Sequence, residues 1–554
     1  MDDKQPKDLL DWMALSKAPD WRVARPLGPL VALFLALLIA GAYAAAFFLI
    51  YGVLFGRGEA SLGTGALIAA LLGAPFVIWG TVLKHQTVRY QKEGHITDRI
   101  NKAVEQLGAE KTVKKDGDET TKPNIEVRIG AILSLERIAQ DSTSHDNGRD
   151  HVRVMEILCA YIRENSNARK PVDFPLIDWE PLKADATEEE RTAHLEWRKA
   201  RFGNIVDSNA REWAQSLPKP RTDVQLALTV IGRRNAQQRR VEAAWPDPPT
   251  ETTVWPFDSD FARLPDDPGA DALSKAELDA FMASLREWKA TLDAYRGYRL
   301  DLSGANLQRA DMAAKQPDGS DAVFAGAQLT EARMEGVVLV GARMVGATLG
   351  GTRMEGINFV GTRMEGATLG EARMEGAALG GARMEGAALG GARMEGADLW
   401  GVRMEGGVLF EARMEGGLLF EARMEGAGLS KARMEGAGLF GARMEGADFS
   451  EARMDSHTGL HDAKLQGAAL RNVDYSSVGI TQEQVDATFG DASVTLPKRI
   501  TRPVHWPDWE LPNRPIHRIG WELPPFDETT FYTQWRKWLS NPATYTPPPK
   551  PTSN

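Results

Sequence analysis

The chain has 554 residues, more than one hydrophobic core holds, so two to four folding units are expected. Its 66 Lys+Arg against 76 Asp+Glu leave a net charge of -10, which argues against a duplex nucleic-acid binder. A lone cysteine, Cys159, excludes an internal disulfide framework and any multi-cysteine metal centre, and fits a reducing compartment.

Residues 1–25 form a polar tail carrying Lys4, Lys7, Lys17, Arg22 and Arg25. Residues 26–83 read as a two-helix transmembrane hairpin. Leu27 to Phe55 and Ala60 to Leu83 contain no charge, and only Gly56-Arg57-Gly58-Glu59 separates them. Each run is long enough for the ~30 Å hydrocarbon layer at ~1.5 Å per residue. Lys84, Arg89, Lys92, Arg99 and Lys102 follow, against Arg57 alone in the loop. That asymmetry places both ends in the cytoplasm. Trp21 and Trp79 fit interfacial anchors. Small residues recur every four positions at Ala32, Ala36, Ala40, Ala44 and at Gly65, Ala69, Gly73. Such stripes let helices approach closely, first within the hairpin and second between copies in a homo-oligomer. Tyr43, Tyr51 and Thr64 offer little polar lining for an ion path.

Residues 84–244 read as a helical, HEAT-like cytoplasmic domain. Ile96, Ile100, Val104 and Leu107 keep helical spacing, as do Ile125, Ile129, Ile132, Leu135 and Ile138, then Val152, Met155, Leu158, Cys159 and Ile162. The charged stretch Lys111 to Lys122 reads as a loop. Arg221 to Arg234 reads as a helix with Thr222 or Asp223 as its N-cap. His145 and His151 flank a turn with Asp141, Asp146 and Asp150; a solvated loop is favoured there over a metal site. Cys159 reads as core. Residues 245–299 read as a Pro-rich linker and a capping helix, opened by a Ser274/Glu277 capping box.

From Ala322 to Asp455 the chain repeats every ten residues, as in GEARMEGAAL and GGARMEGADL. Each ten splits into two fives, with a small residue two before a large apolar one: Ala332/Met334, Ala347/Leu349, Ile357/Phe359, Ala447/Phe449. The pattern begins at Ala305/Leu307, breaks at Ala313–Asp321, and fades through Val473/Tyr475. A period of five fits neither an α-helix nor a simple strand. It fits a chain that turns a corner every five residues, four sides closing a square coil of about twenty residues that stacks on the next at ~4.8 Å. The rod would be about 35 Å long at that spacing, each coil leaning on its neighbours.

Over about 300–475 this tract resembles the pentapeptide-repeat family, whose A(D/N)LXX motif builds a right-handed quadrilateral β-helix. Residues 300–476 are assigned to that fold on this resemblance. Residues 477–554 are assigned to a C-terminal cap and an irregular Pro/Trp-rich tail. The segment GITQEQVDATFGDASVTLP resembles a closing segment of bacterial members, and the N-terminal hairpin resembles membrane-anchored ones. Here Met occupies every second centre and Arg precedes it, a departure from the family's polar ladder on two faces.

A ten-residue pattern on a twenty-residue coil gives opposite faces the same chemistry. Arg333, Arg353, Arg373, Arg393, Arg413 and Arg433 should form one column. Glu335, Glu355, Glu375, Glu395, Glu415 and Glu435 should form an acidic column beside it, a solvated and self-neutralising face or an electrostatic docking surface. A different face should carry Val340, Val360, Trp400, Leu418, Phe420 and Phe440. An exposed aromatic stripe on a rod implies something bound, either a protein partner or the chain's own tail, with Trp506, Trp509, Trp521, Phe526, Phe531, Trp535 and Trp538.

No GxxxxGK[ST], HExxH, CxxC or GxSxG motif occurs, so neither catalysis nor a cofactor is expected. The leading expectation is a membrane-tethered scaffold. The alternatives are a membrane effector whose hairpin oligomerises, and a DNA mimic that binds gyrase, as some members of the resembled family do. Residues 322–456 hold 14 basic and 19 acidic residues, too balanced for strong DNA mimicry.

Overall fold

The computed structural model describes residues 28–56, 61–115, 118–145, 147–175, 186–193, 196, 209–265, 273–313, 319–512 and 529–550. Trp21, Trp521 and Phe526 lie outside these residues, as do the side chains of Ala32 and Trp79. The chain divides into two compact units, Met1–Arg99 and Ile100–Asn554.

In the first unit, α1 (Gly28–Leu54) is a 27-residue apolar helix, and its segment Ala36–Leu54 is long and apolar enough to cross a membrane. Leu33, Phe34, Leu37, Phe47 and Phe48 are exposed. The second apolar run opens α2 (Leu62–Leu107), a single 46-residue helix that continues into the charged segment. Among the described residues one helix, α1, meets the criterion for a span. The small-residue stripes are not packed inside a hairpin as expected. Ala36, Ala40, Ala44, Gly65 and Ala69 are exposed, and a Cβ added at Gly65 or Gly73 would meet nothing within 4 Å.

The second unit starts with a β-hairpin, β1 (Glu110–Lys115) and β2 (Asp118–Pro123), where a loop was expected. Val113 pairs with Thr120 and Thr112 with Thr121, and Lys114 meets Glu119 at 2.8 Å. β-branched residues and cross-strand charges hold what composition alone disguises as solvated chain. Helices α3 (Ile125–His145), α4 (His151–Ser166), α5 (Asn209–Ser216), α6 (Thr222–Gly232) and α7 (Ala236–Ala244) follow. Ile132, Leu135, Leu158, Cys159, Ile162, Leu228 and Ile231 form the core between α3, α4 and α6. The N-cap of α6 is Arg221, not Thr222 or Asp223. Asp223 is buried instead, accepting from Tyr161 Oη and the Arg221 guanidinium. His151 is also buried, 2.9 Å from Glu242, which pairs with Arg234 at 2.8 Å.

This bundle closes the first coil of the rod. Asn167 Nδ2 donates to Gly304 O, Ser166 Oγ accepts from Asn306 N, and Gly232 O accepts from Val323 N. The rod itself is a square solenoid. From Val323 to Arg453, parallel bridges join each side to the one twenty residues later, as in Arg333↔Arg353 and Thr348↔Thr368, and the step becomes twenty-one at Gly438↔Gly459. Backbone bonds such as Leu349 N→Thr368 O and Met344 N→Arg363 O, both 2.7 Å, tie successive coils. Every Met, Leu and Phe centre from Leu329 to Phe449 is fully buried, with the small residues beside them. The first coil pairs across 27 residues (Asp301↔Gln328), because the sequence repeat is interrupted at 313–321.

The described residues between 245 and 299 pack along the side of the rod rather than forming a free linker. Trp255, Phe257, Phe261 and Leu264 are buried with Phe281, Leu285, Trp288 and Leu292 of α8 (Lys275–Asp293) against Val323, Ala325 and Val345. The expected capping box is present, with Glu277 N donating to Ser274 Oγ and Ser274 N to Glu277 Oε2. Helix α8 runs along one corner of the rod. A Cβ added at Gly346 would stand 3.2 Å from Leu292, at Gly386 3.0 Å from Leu285, and at Gly446 2.6 Å from Leu278. Fourteen helical residues, Leu278 to Leu292, advance about 21 Å. Five coil steps, Gly446 to Gly346, advance about 24 Å. A three-and-four apolar spacing is thus nearly commensurate with the coil spacing. The corner must be glycine both for this approach and for its left-handed backbone, φ +66° at Gly386.

After the rod come α9 (Gln482–Asp486) and α10 (Phe531–Ser540). The tail covers the last coils: Trp509, Leu511, Phe531 and Trp538 bury Phe489 and Ala469, Trp506 Nε1 donates to Thr488 O, and Trp535 Nε1 to Gly467 O.

Candidate interaction surface

The arginine columns stand one above another, but the glutamates beside them are not solvated. Glu335, Glu355, Glu375, Glu395 and Glu415 are fully buried, as are Glu365, Glu385, Glu405, Glu425 and Glu445 at the opposite corner; Glu435 is partly covered. From Glu335 to Glu425 each carboxylate lies between the arginine two residues before it and the arginine of the next coil. Glu375 is 3.4 Å from Arg373 and 3.0 Å from Arg393. Glu405 is 3.2 Å from Arg403 and 3.0 Å from Arg423. The arrangement is an alternating Arg–Glu ladder parallel to the rod axis. On one side Arg263, carried by the 255–265 segment, adds a further cation to Glu365 and Glu385, at 3.2 and 3.6 Å. On the other side Arg211 of α5 donates to Gly376 O and stands 3.8 Å from Asp398. The expected solvated face is therefore a set of closed ladders, because the corner turns each Glu side chain back beneath two guanidinium groups.

Burial pushes seven of these carboxyls upward. Glu375 and Glu405 are raised to about 8, first by desolvation and then by the glutamates above and below, against the pull of their arginines. Glu335, Glu365, Glu385, Glu395 and Glu445 shift in the same direction with burial as the main cause. Short Arg–Glu distances alone would argue for lowered values. The upward direction is the better supported, because Oε2 of Glu375, Glu395 and Glu405 has no hydrogen-bond partner to replace lost water.

The apolar stripe is open. Trp400 is 60% exposed, Phe440 49%, Val340 44% and Val360 41%. Leu418 and Phe420 are half-buried, the Phe420 ring lying over Gly438. Among the described residues of the tail, none covers this stripe. The tail's described aromatics sit on the rod's last coils, where Tyr532 Oη reaches Asp448 at 3.0 Å. A groove of about 710 Å³ separates the start of α8 from α10, walled by Leu278, Met282, Trp535 and Leu539. Among the described residues no His/Cys/Asp/Glu cluster is placed to hold a metal ion.

A profile of the family described as Pentapeptide repeats matches residues 320–356, 362–401 and 418–455, in 8 copies. The tract therefore carries the pentapeptide repeats of that family, wound as a β-helix. Among solved structures, HetL from the cyanobacterium Nostoc, a pentapeptide repeat protein involved in heterocyst differentiation regulation, is 22% identical. That match covers 41% of this chain and 91% of HetL with a TM-score of 0.29. QnrB1, a plasmid-mediated fluoroquinolone resistance protein, is 14% identical over 33% of this chain and 89% of its own, with a TM-score of 0.21. No curated protein sequence matches the chain.

Proposed function

We propose that this is a non-catalytic interaction protein whose β-helix presents the Val340–Phe440 stripe to a protein partner, tethered through α1 to a bacterial inner membrane with its folded regions in the cytoplasm. The observation that carries the reading is the exposure of Trp400 and Phe440 on a rod whose other large apolar side chains are almost all inside. A wide exposed apolar patch on a rigid surface is a docking feature. The arginine ladders disfavour DNA mimicry, since each row of carboxylates is interleaved with guanidinium groups rather than laid out as a continuous anionic surface.

The test replaces Trp400 and Phe420 by Ser in the full chain. The size of the assembly released from membranes by mild detergent is then compared with that of the unaltered protein, with circular dichroism as the control for folding. The reading predicts a smaller assembly with unchanged secondary structure; an unchanged size contradicts it.

A further inference from the structure

Building on the stripe as a docking face, we infer that its occupant is a second copy of this chain, lying antiparallel across the same face. The order of side chains carries the inference. Along the edge column the residues read Val340, Val360, Gly380, Trp400, Phe420, Phe440: three small or β-branched, then three aromatic. Successive members are one coil apart, as the bridges Val338↔Asn358 through Leu418↔Gly438 show for the column beside them.

A two-fold axis lying in the face, perpendicular to the rod and midway between the levels of Gly380 and Trp400, maps this column onto itself in reverse. Trp400 then meets the partner's Gly380, Phe420 the partner's Val360, and Phe440 the partner's Val340. Trp400 meets a gap, each phenylalanine meets a valine, and no ring meets a ring. The adjacent column behaves alike: Val338 faces Gly438, Asn358 faces Leu418, and Ala378 faces Asp398. The one charge in that column, Asp398, meets a methyl group and is already held by its own Arg211 at 3.8 Å.

Neighbouring registers fail. Centring on Trp400 stacks Trp400 on Trp400 and Asp398 on Asp398. Centring on Gly380 leaves Phe440 with nothing opposite and a hole between two glycines. A two-fold parallel to the rod sets this edge against the far edge of the face. Self-complementarity of one patch is the requirement for a closed dimer, and only the antiparallel register with the axis between Gly380 and Trp400 supplies it for all six residues.

The face is about 24 Å long by about 10 Å wide from strand geometry, well below the ~800 Å² per partner of a standard interface. Pairing is therefore weak and concentration-dependent. Confinement of both copies to one membrane by the proposed anchor raises their effective concentration.

The experiment uses the full chain in mild detergent. Val340→Cys and Phe440→Cys variants, on tags of different size, are oxidised separately and as a mixture; native Cys159 is buried and serves as a silent background. The antiparallel register gives a disulfide-linked product from the mixture and none from either variant alone, since like positions then stand about five coil steps, ~24 Å, apart. Self-linking of each variant, or no linking, overturns it. Gly380→Trp adds apolar surface at a position where a Cβ has room. It fills the slot for Trp400 and is expected to raise the dimer dissociation constant at least tenfold by sedimentation, as is Trp400→Glu. Tighter association of Gly380→Trp overturns the pairing. A chain that stays monomeric at all concentrations, yet protects Trp400 in membranes, overturns the second copy and leaves the docking face standing. A monomer with Trp400 unprotected in membranes overturns both.

Discussion

Glu375 and Glu405 give the rod an unusual pH dependence. Their folded values, about 8, lie above the ordinary carboxylate value of 4.5. Between those limits the folded chain binds more protons than the unfolded one, so stability falls as pH rises from about 4.5 to about 8 and levels off above. The variant Glu375→Gln/Glu405→Gln mimics the neutral form. It should melt close to the parent at pH 6 and above it at pH 8.5; thermal unfolding at the two pH values checks this, and a variant that melts lower at pH 8.5 contradicts it. The centres and columns of the rod were legible in the sequence, because a five-residue period leaves few geometries. The burial of the glutamates was not, because Arg–x–Glu reads as solvated surface. One signal was available. Between residues 335 and 445 the Glu position is broken only at Val345, whereas the solvent-facing corner at 351, 371, 391, 411 and 431 wanders among Gly, Glu and Lys. A strictly kept charge beside a variable one marks a packed position. The wandering corner also carries strain: Glu371 and Glu411 hold φ of 59° and 58°, worth roughly 1–2 kcal/mol each for a side chain with a Cβ.

At the scale of elements, α8 is the helix that the rod's glycine corner selects. Leu285 sits between Gly386 and Gly406 and is buried, so Leu285→Ala should cost about 2–5 kcal/mol. Hydrogen exchange should then quicken in Lys275–Asp293 before it quickens in the coils; equal protection in variant and parent contradicts the seating. The capping box at Ser274 located the start of α8 from sequence, but not its seat. Pro and Asp between residues 245 and 270 suggested a tether, whereas Trp255 and Phe257 are what pack. At the other end, Trp538 closes over Phe489 with ring centroids 5.7 Å apart. Trp538→Ala should expose the last coils, seen as increased binding of a hydrophobic dye, while leaving the accessibility of Trp400 unchanged. A change at Trp400 would mean that the tail reaches the stripe after all.

At the scale of the whole molecule, both ends of the solenoid are covered by the chain itself, by the α3–α7 bundle before it and the tail after it. The free unsatisfied edges that make a bare β-helix stack end to end are thereby covered, and the proposed pairing uses a side of the rod. Helix α1 supplies the proposed anchor: removing residues 1–56 should move the protein from the carbonate-resistant membrane fraction to the soluble one, and retention in the membrane contradicts an α1 anchor. The central claim is that the Trp400 stripe is occupied in the cell while the methionine centres are permanently inside. Hydroxyl-radical footprinting tests both at once, on dilute purified chain and on native membranes. The account predicts that Met334 to Met444 stay unlabelled in both samples, and that Trp400 and Phe440 are strongly labelled in the dilute chain and protected in membranes. Labelled methionines, or equal labelling of Trp400 in the two samples, would contradict it.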